Sequence, residues 1–596
     1  MKISEPKTEI QCFQLMLEMR DGVKLNTFVY LPGNGKKTCP VILQRTPYGI
    51  TEPKGVTTTD PAKGWMPEAD APMSGSLLRG WKNIVAEGYA AVYQDTRGRF
   101  ASEGEDRVYA DDANDGYDTI AWIAAQPWCD QNIGMSGSSA GATTALAGAS
   151  AGHPALKAFW AQVGGSSIYD DVVYEGQSIE MERLWLWVSK NFSGLSQSHQ
   201  DAVRGRAGAS ADDMEAAKAR AAACYARLEV AIRADPPFID SPDWMQLPLL
   251  GHPDFTAWQP FLDEILTHPA SDEFRDAHNF RSRINIPGFH ACTWYDIFLP
   301  SVLRAFQDIH ARSGNQKLWI GPNTHYFVYE TNFWVRDPYF EWFGHWLKDE
   351  ASALIEEPPI FYSPCAWAED WATYRPDDWR HSGTWPPTDA SQRRLYLHGD
   401  GYLGGDPGGG ARSYEYDPRS PNPTLGGRNM LIPGGQVDQR PAQNRPGYGL
   451  MYDGDVLAAD LTLAGGASVV LHAASDCPDT DFIAKLIEVT PDGQTILLMD
   501  GVQRAMYRDG GPEAKYLQSG EVYQIRVDLG DIHHTVSAGS RLQVDVVSSN
   551  FPRRARNTNS GNPMLAKDTE TDIRVAKNTV YHGEFTASYV EFMAIE

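Results

Sequence analysis

The feature that most constrains the fold is an alternation that stops and later resumes. Up to about residue 165, short β-rich runs alternate with helix-like stretches: "PVILQRTPYG", "SLLRGWKNIVAEG", "YAAVYQDTRG", "DGYDTIAWIAAQPW" and "NIGMSGSS". That order builds βαβ units around a mostly parallel sheet. The apolar runs lack polar alternation, as strands covered by helices on both faces do. From about 167 to 259 the chain turns helix-prone and charge-rich, as in "ADDMEAAKARAAACYARLEVAIR", whose alanine and charged residues favour helix. No strand is expected there. The alternation returns in "INIPGFHACTWYD", "SVLRAFQDIHARSG" and "QKLWIGPNTH", so the middle block reads as an insertion placed to roof a site. After about residue 360 the composition shifts to Pro, Gly and Asp, and short alternating strands such as "ASVVLHAAS" and "EVYQIRVDL" predict an all-β sandwich. A chain of 596 residues exceeds one hydrophobic core, and the expected division is α/β core at 1–166, helical cap at 167–259, core again at 260–360 and sandwich at 361–596.

A formal net charge of −25 repels phosphate backbones and anionic membrane surfaces, which excludes nucleic acid and membrane as natural partners. The seven cysteines, Cys12, Cys39, Cys129, Cys224, Cys292, Cys365 and Cys477, are scattered and show no C-x-x-C or Cys/His zinc spacing. With no signal-peptide core at the start and no membrane-spanning run, a cytoplasmic protein is expected. No H-E-x-x-H, Walker-type loop or dinucleotide fingerprint is present, so no metal or cofactor is called for.

Within "IGMSGSSAGATTALAG", Gly137-Ser138-Ser139-Ala140-Gly141 satisfies G-x-S-x-G between a β-like approach and an alanine-rich helical run. In a nucleophile elbow, glycines two positions either side of the serine remove Cβ atoms that would clash, and the helix N-terminus offers N–H groups to a developing oxyanion. The alternative is a serine-rich turn in which Ser136 or Ser138 caps the helix. Partners decide between them: an α/β-hydrolase supplies Ser, then Asp or Glu, then His in chain order. Asp296 follows one apolar strand and His325 follows the next, and both therefore fall at carboxyl ends of neighbouring strands, where open α/β sheets build sites. Taken singly, Asp296 also suits a helix N-cap and His325 an ordinary loop histidine. Asp95 and Arg97 in "QDTRGRF" read as a structural pair steadying the loops under the site.

At these residues the sequence resembles the cocaine-esterase-like α/β-hydrolases, which include α-amino-acid ester hydrolases, glutaryl cephalosporin acylases and X-Pro dipeptidyl peptidases. The carriers are "RTPYG", "YAAVYQDTRGRFASEGE", "IGMSGSSAG", "WYDIF", "GPNTH", "DTDFIAKLIEVTPDG" and "VSSNFPRRARNTNSG", spread over nearly the whole chain. The resemblance implies an α/β-hydrolase core with an inserted helical cap and a C-terminal jelly roll. It also implies Ser139 as nucleophile, His325 as base, Asp296 as orienting acid, and an oxyanion hole made by the Tyr48 hydroxyl and the Ala140 backbone N–H. Cap aromatics in such enzymes line the acyl pocket, which points to Tyr174, Trp185 and Trp187. A carboxylate cluster holds the substrate ammonium in the amino-acid ester hydrolases; Asp170, Asp171 and Glu175 are its counterparts here, with a solvated acidic face as the alternative. Relatives of this kind assemble, so a homo-oligomer is implied. The chain departs from the pattern at Ala140, usually tyrosine, at Ala142, usually glycine, and in "GPNTHY", which lacks the usual tryptophan after proline and glycine after histidine. The expected function is hydrolysis of a small-molecule carboxylic ester, or an amide, through an acyl-enzyme. The alternatives are an α-amino-acid ester hydrolase, acylase or X-Pro dipeptidyl aminopeptidase and, more distantly, a non-catalytic binding scaffold.

Overall fold

The computed structural model describes residues 11–33, 37–50, 78–191, 194–207, 210–233, 241–252, 259–325, 337–365 and 378–595. Its first sheet is built from β1 (Gln11–Glu18), β2 (Lys24–Leu31), β3 (Cys39–Thr46), β4 (Ala90–Asp95), β5 (Cys129–Ser138), β6 (Leu156–Gln162), β9 (Gly288–Tyr295), β10 (Gln316–Thr324), β11 (Ile360–Tyr362) and β12 (Arg380–Ser382), in the order β1-β2-β4-β3-β5-β6-β9-β10-β11-β12. Neighbours from β4 to β11 run parallel, and only the two ends are antiparallel. Every residue of β3, β4 and β9 is buried, which is why these strands read as unbroken apolar runs.

Helices α1 (Trp81–Ala86), α2 (Asp112–Ala124) and α3 (Ala140–Ser150) cover the first half of the sheet. The small-residue run of α3 has a steric cause: a Cβ on Gly116 of α2 would lie 2.9 Å from Gly148 Cα, so the helices cross almost backbone to backbone. The insertion supplies α4 (Met181–Asn191), α5 (Gln197–Ala207), α6 (Ala211–Arg233), and the short α7 (Pro242–Met245), α8 (Pro260–Leu266) and α9 (Glu273–Ala277). The core resumes with α10 (Leu299–Ser313) and α11 (Tyr339–Lys348).

Three expectations need correction. The insertion is not purely helical, because β7 (Tyr174–Glu175) and β8 (Ser178–Ile179) form a small hairpin. Its turn at Gly176 and Gln177 has positive φ of 53° and 63°, and a Cβ on Gly176 would lie 1.9 Å from Val502 O. Contact with the sandwich, rather than local pattern, makes this hairpin. The helical insertion also runs past residue 259 through α8 and α9, and the first sheet takes β11 and β12 from beyond residue 360. Both added strands are three residues long, too short to show alternation.

The C-terminal unit is an eleven-stranded antiparallel-rich sheet arrangement, a jelly roll whose longest pair joins Leu461–Ser475 to Tyr523–Val536. It is locked to the cap by buried charge. Glu175 meets Arg428 at 3.1 Å, Arg553 at 3.2 Å and Arg554 at 3.0 Å, Arg553 also meets Asp500 at 2.8 Å, and Arg554 pairs with Glu180. Burial pushes the Glu175 carboxyl up, yet the surrounding guanidinium groups of Arg554, Arg428 and Arg553 override it and hold it well below the usual range. Glu182 accepts the N–H groups of Met430, Leu431 and Ile432 at 3.3, 2.6 and 3.1 Å, which fastens a jelly-roll loop to α4. Among the described residues no helix is long and apolar enough to cross a membrane.

Asp95, the last residue of β4, is fully buried and accepts from Asn26 Nδ2 at 2.7 Å and from the Ile50 N–H at 2.9 Å. Arg97 pairs instead with Asp21 and Asp115, each at 2.6 Å, so these two residues are structural but not partners of each other. Burial pushes the Asp95 carboxyl up to about 7 against its hydrogen bonds.

The raised Asp95 value means that the folded chain binds this proton more tightly than the unfolded one. Its contribution to stability is complete below the ordinary 3.8 and is lost as pH rises through about 7. The stability of the natural chain relative to Asp95→Asn is expected to fall by about 2 kcal/mol from about pH 5 to about pH 8; denaturant melts across that range check it, and a flat difference contradicts it. Glu175→Gln, which strips one partner from a buried charge network, is expected to cost about 3 kcal/mol. KM for an ester with a free α-amine should change no more than KM for its neutral analogue, whereas a Glu175 that held a substrate ammonium would raise the former alone.

Candidate active site

Ser139 occupies the one-residue corner between β5 and α3 at φ 53°, ψ −121°, a region that L-residues avoid. The corner is feasible because its neighbours lack side chains: a Cβ on Gly137 would lie 2.2 Å from Gly141 C and O. A Cβ on Gly164 would lie 2.4 Å from the Ala142 Cβ, so the bulk that Ala142 adds is taken up by a glycine after β6. The Ser139 N–H donates to Gln162 O at 2.8 Å, which ties the corner to β6. Ser136 shares a 2.8 Å hydrogen bond with Tyr339 of α11, the Ser138 hydroxyl is buried without a partner among the described residues, and neither caps α3.

His325 and Asp296 leave the ends of β10 and β9. A register shift between Gly321 and Thr324 sets Thr324 opposite Tyr295, which brings the next residue of β10 beside the next residue of β9. His325 Nδ1 lies 2.6 Å from Asp296 Oδ2, and His325 Nε2 lies 3.2 Å from Ser139 Oγ. Asp296 is fully buried, and its other oxygen accepts the Phe298 N–H at 2.6 Å. The carboxylate thus steadies the turn into α10 and faces the imidazole at once. An imidazole with a carboxylate on one nitrogen and a hydroxyl on the other can take the hydroxyl proton and hold the resulting charge.

Ser139 and His325 lie on the wall of a cavity of about 600 Å³, and Asp296 is buried behind the imidazole. Tyr48 is on its wall, with its hydroxyl 2.8 Å from Trp187 Nε1. Burial raises the Tyr48 phenol above its ordinary value, against the lowering effects of the Trp187 hydrogen bond and the Arg99 charge, so the phenol keeps its proton. Ala140, at the first turn of α3, is also on the wall, where helix geometry leaves its N–H without an intrahelical acceptor. Arg45 of "RTPY" is not a lining residue of the cavity; it is fully buried and ties β3 to α2 through Asp112 at 2.7 Å and to β4 through Gln94 at 2.7 Å.

The cap candidates separate. Trp187 lines the cavity, together with Arg183, Leu184, Lys190 and Asn191 on the same face of α4. Tyr174 and Trp185 do not: Tyr174 is buried with its hydroxyl 3.4 Å from Leu266 O, and Trp185 is buried edge-on to His252 at 6.0 Å. Asp170 pairs with Arg275 at 2.6 Å, and Glu175 is spent on the jelly-roll arginines. Neither is a wall residue, and the Asp171 side chain lies outside the described residues. The proposed ammonium clamp is therefore absent for Asp170 and Glu175, because cationic side chains of the protein already occupy both carboxylates. Sequence reasoning missed Val108, Tyr109, Phe298 and Met430 on the wall. The helical spacing from Trp187 could have found Arg183 and Lys190; nothing local announces Met430, which arrives from the jelly roll.

Comparison with known proteins identifies the family. Residues 21–327 match the X-Pro dipeptidyl-peptidase (S15 family) profile, and residues 347–591 match the X-Pro dipeptidyl-peptidase C-terminal non-catalytic domain. The chain is 30% identical to cocaine esterase of Rhodococcus sp. (strain MB1 Bresler), over 97% of each protein. Among solved structures it superposes on an aminopeptidase from a marine sediment archaeon, Thaumarchaeota archaeon, with TM-score 0.73 at 21% identity, covering 100% of this chain and 98% of that one. It superposes on an α-amino acid ester hydrolase with TM-score 0.72 at 23% identity, covering 99% and 97%. The α/β-hydrolase core and jelly-roll domain expected from the sequence are those of these neighbours. Matched over both of its large units, the chain is a serine hydrolase of esters or peptides and belongs to the S15 family of X-Pro dipeptidyl-peptidases.

Proposed function

We propose that the chain hydrolyses small-molecule carboxylic esters through an acyl-enzyme on Ser139. His325 takes the Ser139 proton as Oγ attacks the carbonyl, then delivers it to the leaving oxygen; water repeats the cycle. Asp296 holds the imidazole with its Nδ1 proton inward and stabilises the imidazolium, without taking the proton itself. The Tyr48 hydroxyl and the Ala140 N–H face the developing oxyanion. The observation that carries this reading is the continuous chain from Asp296 through His325 to Ser139, at 2.6 and 3.2 Å, beside a pocket of about 600 Å³.

The acyl group it accepts is one without a free amine. The charged side chains that join His325 on the described wall are Arg183 and Lys190, both cationic, and no carboxylate is among the described lining residues. A substrate ammonium there gains no counter-ion and faces like charge. A cavity of about 600 Å³ is of the size that buries a drug-sized molecule. A cytoplasmic setting is proposed from cysteine usage: the cysteines are scattered along the chain without a paired spacing, and the six described ones are buried, which suits a reducing compartment.

Ser139→Ala is expected to lower kcat by at least about 10⁴ and to abolish labelling by a fluorophosphonate probe; labelling elsewhere with kcat retained contradicts the assignment. Tyr48→Phe is expected to lower kcat about 10²- to 10³-fold, the usual cost of one oxyanion donor. Corrected for uncatalysed rates, p-nitrophenyl butyrate is expected to exceed p-nitrophenyl 2-aminobutyrate in kcat/KM by about tenfold or more. A preference for the amine would favour the aminopeptidase-like alternative.

A further inference from the structure

The proton transfers leave three features at or behind the cavity wall without a role: the Trp187 indole N–H, the buried second arginine of "QDTRGR", and a wall loop with two consecutive left-handed residues. They meet at Tyr48. Trp187 Nε1 lies 2.8 Å from the Tyr48 hydroxyl, and an indole N–H can only donate. The Tyr48 oxygen is therefore the acceptor in this bond, and its own proton remains to be given elsewhere. A phenolic proton prefers the ring plane, which offers two directions; the indole hydrogen fills one side of the oxygen and leaves the other.

The backbone under Tyr48 is tied to the same helix. Arg99, 1% exposed, donates from Nε to Pro47 O at 3.0 Å and from Nη2 to Asn191 O at 2.8 Å. Trp187 and Asn191 are one turn apart on α4, so one turn of the cap grips both the hydroxyl and the main chain of the Tyr48 loop. Tyr109 packs against Trp187 from the far side, with ring centroids 6.4 Å apart. Val108 and Tyr109 have φ of 41° and 67°, a costly pair of conformations for a β-branched and an aromatic residue. The Asp106 carboxylate accepts the Val108 N–H at 3.1 Å and pairs with Arg99 at 3.3 Å, which links this strained loop to the same arginine.

We propose that Trp187 is a positioning residue for transition-state stabilisation: its indole N–H occupies the acceptor side of the Tyr48 oxygen and aims the phenolic proton at the oxyanion. The inference rests on Tyr48 being an oxyanion donor, as argued above. Helix α4 then belongs to the reaction machinery as well as to the substrate roof. A donor into the phenol oxygen also polarises the O–H bond and strengthens its outgoing hydrogen bond. Burial meanwhile keeps the phenol in its protonated form.

The test uses the full chain with p-nitrophenyl butyrate and separates kcat from KM. Trp187→Phe is expected to lower kcat about three- to tenfold, the range for losing one neutral hydrogen bond. Replacing the indole by benzothiophene, through 3-benzothienylalanine at position 187, keeps the ring's size and removes only the N–H; it is expected to lower kcat by a similar factor with KM within about twofold. In a Tyr48→Phe background, neither change should lower kcat further, because the group being aimed is gone. A benzothienyl enzyme with undiminished kcat overturns the inference, as does a double variant whose losses multiply. Those results would leave the Tyr48 assignment standing if Tyr48→Phe alone is slow. If Tyr48→Phe alone keeps full kcat, the oxyanion reading fails and this inference falls with it.

Discussion

The site depends on a backbone conformation before it depends on any side chain. Ser139 at φ 53° costs on the order of 1–3 kcal/mol, and this is tolerated because the chain removes bulk on two sides and supplies a hydrogen bond on a third. Gly137 clears the return of Gly141, Gly164 clears Ala142, and Gln162 O receives the Ser139 N–H at 2.8 Å. Released from that corner, the serine would turn into a helical φ and carry its hydroxyl away from His325. The five-letter motif is thus a statement about excluded volume. The second, third and fourth residues of α3, Gly141, Ala142 and Thr143, follow from the same requirement, since Thr143 Oγ1 in turn accepts the Gly165 N–H at 3.1 Å.

A second constraint acts across domains. The cavity is a junction: Ser139 and Tyr48 come from the first part of the core, Phe298 and His325 from the second, Trp187 from the cap and Met430 from the jelly roll. Such a junction needs its parts held to within hydrogen-bond tolerance. The buried cluster of Glu175, Glu180 and Asp500 with Arg428, Arg553 and Arg554 supplies that hold. Ion pairs of this kind are weak sources of net stability but severe penalties against misplacement. The unusual "FPRRAR" stretch makes sense on those terms. Its arginines are docking elements for the cap, and Arg556 continues the pattern by donating to Met245 O at the end of α7.

Much of this was legible in the sequence where period and order carry the information. The parallel strands were visible because burial on both faces erases polar alternation, and the order Ser139, Asp296, His325 was visible because each residue ends a strand. The hairpin at Tyr174–Ile179 was not, because two-residue strands have no period and this pair is shaped by contact with Val502. The acidic residues of the cap misled for a related reason. Asp170 and Glu175 look like a substrate clamp when their sequence neighbours are all that can be seen. Their neutralising partners are Arg275, and Arg428, Arg553 and Arg554, between 105 and 379 residues away, a separation that no local pattern spans.

The fate of those carboxylates bears on specificity more than their presence does. A cap that consumes Asp170 and Glu175 in internal pairs, and lines the cavity with Arg183 and Lys190, leaves no carboxylate among the described wall residues to meet a substrate amine. Arg183 is itself braced at 2.9 Å by Glu180, the same carboxylate that pairs with Arg554, so its position on the wall is fixed by the docking of the jelly roll. The C-terminal domain shapes the substrate's surroundings through that chain of contacts, while Met430 is its own side chain on the wall. The charge network that docks the jelly roll on the cap thus reaches the cavity wall at Arg183, which couples the position of that wall residue to the assembly of the units.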